Sequence, residues 1–286
     1  MFVTESGFTL KIRGLSGAES DTMKGEMQKK IPTMNNYLLN PPKVICYILK
    51  VSSEVIKEQG MCSFKMATIA NRAGCSKKTL YNYFKCKEDI VVSLYIQHIN
   101  DVSNCVNRII DSDSLSNQEK IIYSMALDPM KCWAAEKDDL CMNFLGVNPH
   151  IYDLASPEFV GNLQVLFIEV KEQAQSVWKQ AIAEGQLLSD KEDVLKCILL
   201  LNEIERGAVA MGQNRFLRQF GYDCDLKPTF DALCWIVKTL KWKEECHSLS
   251  YENMLKTLSP MVSKKPLLDM RHYALTMESL KESIEL

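Results

Sequence analysis

The sequence predicts an all-α chain, with a three-helix unit near its start and a larger helical body behind it. Three observations predict this. Apolar residues recur three and four apart over long stretches, the spacing that lines one face of a helix. No run alternates β-branched and polar residues as a half-buried strand would. Start and stop residues punctuate the periodic stretches: Ser76, Ser156 and Asp190 as N-caps, Gly60 and Gly185 as terminators.

Residues 1–36 mix Gly, Ser, Thr and charge without a period and read as a flexible arm, or as an over-long start with Met34 the true one. Asn40, Pro41 and Pro42 then open a helix, because proline suits a first turn. Val44, Ile48, Val51 and Val55 carry it to about Glu58, before Gly60. A second, short helix over 66–73 turns Met66, Ile69, Ala70 and Ala73 inward, with Ser63 as a candidate cap. The third, 76–84, places Leu80 and Phe84 on one face. A fourth starts at Lys87, where Glu88 and Asp89 suit the positive helix end. Ile90, Leu94, Ile96, Ile99, Val102, Val106 and Ile109 extend it to about Ile110.

The loop 111–117 (DSDSLSN) follows, and then helices near 117–135, 138–146, 157–184, 191–220 and 228–246. Tyr273, Met277, Leu280 and Ile284 align as a further amphipathic helix over 266–284. The expected division is an arm (1–36), a three-helix head (37–95), a body (96–260) joined to the head by the long helix 88–110, and a tail (261–286).

Composition narrows the class. A hydrophobic share of 47% with 24% charged residues is that of a water-soluble core-forming protein, and no apolar run approaches the ~20 residues that span a bilayer. The first residues lack the pattern of a signal peptide. Eleven cysteines without a C-x-x-C pair argue for reduced thiols in a cytoplasm. Net charge is only −2, but residues 37–95 hold nine Lys/Arg against four Asp/Glu, which leaves the body acidic. A basic head is drawn to phosphates while an acidic body is held away from them.

Within the head, residues 73–89 (AGCSKKTLYNYFKCKED) combine a Gly-containing turn, a cap and a short helix with one buried face. That is a helix-turn-helix, whose second helix enters the major groove of DNA. Lys78 and Asn82 point farthest from Leu80 and Phe84, with Thr79 close behind and Tyr81 and Tyr83 on the flanks. Lys77 and Lys78 are placed to reach base edges or phosphates, and Asn82 to pair with adenine. In the arm, Lys24, Lys29 and Lys30 would then lie along the backbone or in a minor groove.

Residues 57–94 also resemble the N-terminal DNA-binding domain of the tetracycline-repressor (TetR) family of bacterial transcription regulators. Gly60, Ile69, Ala70, Ala73, Gly74, Ser76, Thr79, Leu80, Tyr81, Tyr83, Phe84, Lys87 and Glu88 match in register, over about an eighth of the chain. The departures are Ile56 for an aromatic residue, Phe64 and Lys65 where a small hydroxyl residue opens the second helix, and Cys75 for Val. The resemblance implies that Thr79, Tyr81, Tyr83 and Lys87 touch the DNA backbone. The candidate DNA-binding residues are therefore Lys65, Lys77, Lys78, Thr79, Tyr81, Asn82, Tyr83 and Lys87.

For the body the resemblance implies a ligand pocket and a dimer. Met125, Trp133, Met142, Phe144, Phe167 and Trp178 are the candidate ligand-binding residues, apolar enough for a lipophilic or aromatic molecule. The helices near 191–220 and 228–246 are the candidate dimer surface. Gly207, Ala208, Ala210 and Gly212 there allow close approach, while Val209, Leu217, Leu233, Ile236, Val237 and Leu240 supply apolar area.

No catalytic constellation is readable. Cys246–His247 lacks a second metal-ligand pair, and Cys75 and Cys86 flanking the third helix are the one candidate redox switch. No cofactor is expected. The expectation is a homodimeric repressor that binds a palindromic operator in double-stranded DNA and is released by a small apolar ligand. The alternatives are a regulator of the same fold without such an inducer, and an all-α enzyme.

Overall fold

The computed structural model describes residues 43–134, 150–213 and 226–262. The predicted helices 138–146 and 266–284, the arm, Met142, Phe144 and Leu217 lie outside them. The described residues form ten helices: α1 (Lys43–Gln59), α2 (Met66–Arg72), α3 (Lys77–Tyr83), α4 (Lys87–Ile110), α5 (Asn117–Ala134), α6 (His150–Leu154), α7 (Pro157–Ala183), α8 (Lys191–Gln213), α9 (Leu226–Lys238) and α10 (Tyr251–Val262). Among them the only extended pairing is an isolated antiparallel bridge between Leu187 and Trp242. The chain divides into two units between Lys50 and Val51, and apart from the start of α1 the geometry described below lies in the second.

The predicted punctuation acts as expected at several helix ends. Gly60, Gly74 and Gly185 adopt positive φ of 81°, 66° and 64°, the left-handed conformation that glycine adopts without a Cβ clash. After α7, Gln186 N–H donates to the Ala181 carbonyl and Gly185 N–H to the Ile182 carbonyl, the paired bonds of a Schellman end. Asp190 caps α8 by accepting from Asp193 N–H at 2.9 Å.

Other expectations are corrected. Ser63 does not cap α2; Lys65 holds the N-cap position, without a side-chain bond. Val44 is 49% exposed, whereas Ile48, Val51 and Val55 are buried. α9 ends at Lys238 rather than near 246. Beyond it the backbone is drawn to the segment after α7: Leu188 N–H donates to the Lys241 carbonyl, Lys243 N–H to the Gln186 carbonyl and Lys241 N–H to Ser189 Oγ. Helices α6 and α10 were not expected.

α5 is the hub of the body, packing against α4, α7, α8, α9 and α10. Its Ile121, Ile122, Tyr123, Ala126, Leu127 and Met130 are all buried. Its first turn, Asn117 to Lys120, is buried too, although polar, so each group there needs a partner. Asn117 Nδ2 donates to Glu184 Oε2 and Gln186 Oε1, and Gln118 Nε2 to the Glu244 carbonyl. Glu119 Oε2 accepts from Ser116 N–H and Oγ at 2.9 and 2.8 Å, while Glu119 N–H donates back to Ser116 Oγ. This is a reciprocal capping box.

Burial opposes the Glu119 charge, but bonds from the Ser116 amide and hydroxyl, together with the Ser248 and Cys246 side chains, more than offset it and hold the carboxyl below its ordinary 4.5. A depressed folded pKa means a contribution that is complete above the unfolded pKa and lost as pH falls through the folded one. Glu119→Gln should therefore cost about 1–2 kcal/mol at pH 7 and much less near pH 3. Urea unfolding of both proteins at the two pH values checks this; an equal cost at both would contradict it.

Candidate nucleic-acid interface

The turn ahead of α3 is built by backbone alone. Ala73 ends α2, Cys75 N–H donates to the Ala70 carbonyl at 3.0 Å and Gly74 N–H to the Asn71 carbonyl at 3.2 Å. This Schellman pair reverses the chain within a few residues. Ser76 then caps α3 from an extended conformation, its Oγ accepting from Thr79 N–H at 3.0 Å. The Thr79 hydroxyl lies 2.8 Å from the same oxygen.

A seven-residue helix is too short to be stable alone, so α3 depends on what it buries. Leu80 and Phe84 are 0% and 1% exposed. Phe84 ends the helix in an extended conformation, and its ring stacks on Phe159 at 5.8 Å. With that face spent, Lys77, Lys78, Thr79, Tyr81, Asn82 and Tyr83 are all exposed, as is Lys65 at the start of α2. Tyr81 and Tyr83 are 43% and 37% exposed, so neither is a core residue. Lys65, Lys77 and Lys78 form no ion pair with any described residue. The arrangement offers cations, an amide and two phenols on one short convex surface, the donor set that meets phosphates and base edges.

Three neighbouring cations are otherwise engaged. Arg72 holds Glu58 by two bonds of 2.7 Å, tying α2 to the end of α1 and keeping the Glu58 carboxyl below its usual range. Lys85 Nζ donates to the Tyr81 carbonyl. Lys87, expected to touch the DNA backbone, is half-buried. Its Nζ lies 3.4 Å from the Cys62 carbonyl and 5.7 Å from the Phe64 ring centroid, toward the α1–α2 turn. As the first residue of α4 it faces the positive helix end, and a carbonyl and a ring face offset that repulsion.

Sequence reasoning missed one residue of the site. Asp89 was read only as a favourable charge at a helix start, yet it is 0% exposed and its carboxylate accepts from Lys85 N–H at 2.7 Å and Cys86 N–H at 3.3 Å. Its signal was its place at the third position of α4, where an acid reaches back to the cap. Cys86 is no thiolate: burial pushes it up to about 11, and its Sγ–H donates to the Leu154 carbonyl.

Four of the six residues expected to line a pocket are among the described residues. Met125 and Trp133 are half-buried, Trp178 is a core residue, and Phe167 is 38% exposed beside Tyr95, ring centroids 6.1 Å apart. Surface grooves of about 460 and 300 Å³ lie beside α9–α10 and at the start of α5, lined by none of these four described residues. The expected dimer surface is also redistributed. Val209, Leu233, Ile236, Val237 and Leu240 are spent in the chain's own core, whereas Leu199, Leu200 and Trp235 are 44%, 47% and 70% exposed.

Comparisons with known proteins agree with this geometry. Residues 48–94 match the profile of the bacterial regulatory proteins of the tetR family. An uncharacterised HTH-type transcriptional regulator of Bacillus subtilis, YvaF, is 34% identical over 74 residues, 26% of this chain and 38% of that one. The fatty acid metabolism regulator protein of the same organism is 44% identical over 48 residues, 17% of this chain and 25% of that one. The chain thus aligns with well under half the length of either relative. Among solved structures, B. subtilis FadR in complex with stearoyl-CoA superposes with a TM-score of 0.50 at 17% identity, over 68% of this chain and 99% of that one. Reduced E. coli NemR gives 0.51 at 10% identity, over 71% and 100%. At such identities the two likenesses concern the fold. Residues 48–94, which carry this turn, this cap and this outward helix face, are thus similar to the corresponding segment of the tetR family of bacterial regulatory proteins.

Proposed function

We propose that the chain is a transcription regulator that binds double-stranded operator DNA as a homodimer and represses until a small apolar ligand releases it. The observation that carries this is the face of α3. Lys77, Lys78, Tyr81, Asn82 and Tyr83 are exposed on a helix whose opposite side is buried through Leu80. Lysines there neutralise phosphates, and the tyrosines and Asn82 meet the backbone and base edges.

A lone reading helix binds weakly; two related by a two-fold axis read paired half-sites and gain by effective concentration. Support for a dimer comes from α8, where Leu199, Leu200, Gly207 and Ala210 share an exposed stripe, and from Trp235 on α9. The release by an apolar ligand has its support in Phe167, Met125 and Trp133, all only partly buried in the central helices. It is also consistent with the stearoyl-CoA held by the B. subtilis neighbour of this fold.

The direct test is selection of fragments from the host's genomic DNA, with and without cell extract. Retention of palindromic fragments, with loss on adding extract, is the expected result, and retention of no fragment sinks the reading. With a selected fragment, Lys78→Ala or Tyr81→Ala should weaken binding about tenfold with an unchanged far-UV circular dichroism spectrum. Undiminished binding by both variants removes α3 as the contact. Leu200→Glu should shift sedimentation from dimer to monomer and weaken DNA binding in parallel; a dimer that persists redirects the interface away from α8.

A further inference from the structure

The reading helix is tied to the body by more than the long α4. Besides its two bonds to the α3–α4 linker, the buried Asp89 carboxylate accepts from Ser156 twice. Ser156 N–H donates to Oδ1 at 2.7 Å and Ser156 Oγ to Oδ2 at 3.0 Å. Ser156 stands at the N-cap position of α7, with an extended φ of −62° and ψ of 138°, yet its hydroxyl makes no bond to its own helix. The cap is surrendered to a residue of α4. Two further contacts join the same short segments: Phe84 stacks on Phe159, and Cys86 Sγ–H donates to the Leu154 carbonyl. Residues 84–89 and 154–159 therefore form one clamp, with a single carboxylate at its centre.

We propose that Asp89 and Ser156 are positioning residues for DNA reading: through them the α6–α7 corner, acting on the first turn of α4, sets the orientation of α3. This rests on α3 being the DNA-contacting helix. The physics is that of a short helix with little stability of its own. Its C-terminal exit, Phe84 to Cys86, is held by backbone bonds to Asp89, and Asp89 is held in turn by Ser156. Charge-assisted bonds to a buried carboxylate are stiff and directional. A displacement of the first turn of α7 must therefore either strip donors from Asp89, leaving a buried charge short of partners, or carry the exit of α3 with it.

The experiment uses the full-length protein and three variants, Ser156→Ala, Ser156→Thr and Asp89→Asn. Amide hydrogen exchange is followed over 77–86 and, as an internal control, over 117–134. Affinity is measured with a fragment that the unaltered protein selects from genomic DNA. Ser156→Ala should speed exchange over 77–86 about tenfold while leaving 117–134 unchanged, and should weaken DNA binding by a similar factor. Ser156→Thr, which keeps the hydroxyl, should restore both, and Asp89→Asn should reproduce the alanine variant more strongly if it folds. Unchanged exchange over 77–86 in Ser156→Ala overturns the clamp. So does acceleration that spreads equally to 117–134, which would mark a merely structural residue, and so does an unweakened affinity. If the unaltered protein retains no fragment, the DNA-binding reading fails by itself and the exchange measurement alone decides the clamp.

Discussion

Everything at the interface depends on one constraint: a seven-residue helix cannot persist on its own hydrogen bonds. α3 exists because Leu80 is buried beneath it, Ser76 satisfies an early amide, and Phe84 leaves it in an extended conformation to stack on Phe159. The same burial decides which side chains face outward. At about 100° per residue, fixing Leu80 inward turns Lys78 and Asn82 away. Chemistry on the surface is thus a by-product of packing beneath it.

The body obeys a similar rule at larger scale. α5 touches five other helices, so its middle is apolar on nearly every side, and its first turn must be polar where it meets loop backbones. Asn117 and Gln118 donate to a carboxylate, a carboxamide and a carbonyl far along the chain, while Glu119 closes the cap with Ser116. Buried polar groups that are all partnered fix register more sharply than apolar contacts do. The α5 start is accordingly pinned to the segment after α7 and to the loop after α9, which are themselves bridged at Leu187 and Trp242.

What was legible in the sequence was local. Gly74, Ser76 and the Leu80–Phe84 pair act over four or five residues, so their spacing alone foretold the turn, the cap and the buried face. Asp190 and Gly185 were readable for the same reason. The end of α9 was not: Leu240 and Trp242 continue the apolar pattern past Lys238, and only the distant segment 186–189 diverts the backbone. Nor does periodicity distinguish a core from an interface. Val209, Leu233 and Ile236 looked as suited to a partner as Leu199 and Leu200, and three-dimensional packing alone assigns the first group inward. The contacts of Lys87 and Asp89 escaped for a third reason. Their partners, Cys62, Phe64 and Ser156, lie far off in sequence and have no motif to announce them.

Trp235 has an implication of its own. With 70% of its surface in water, on the helix offered for self-association, its indole is a built-in optical gauge. Emission from a wet indole lies to the red and shifts to the blue when the ring is enclosed. Dilution alone would then report, without any label, how tightly two copies hold one another.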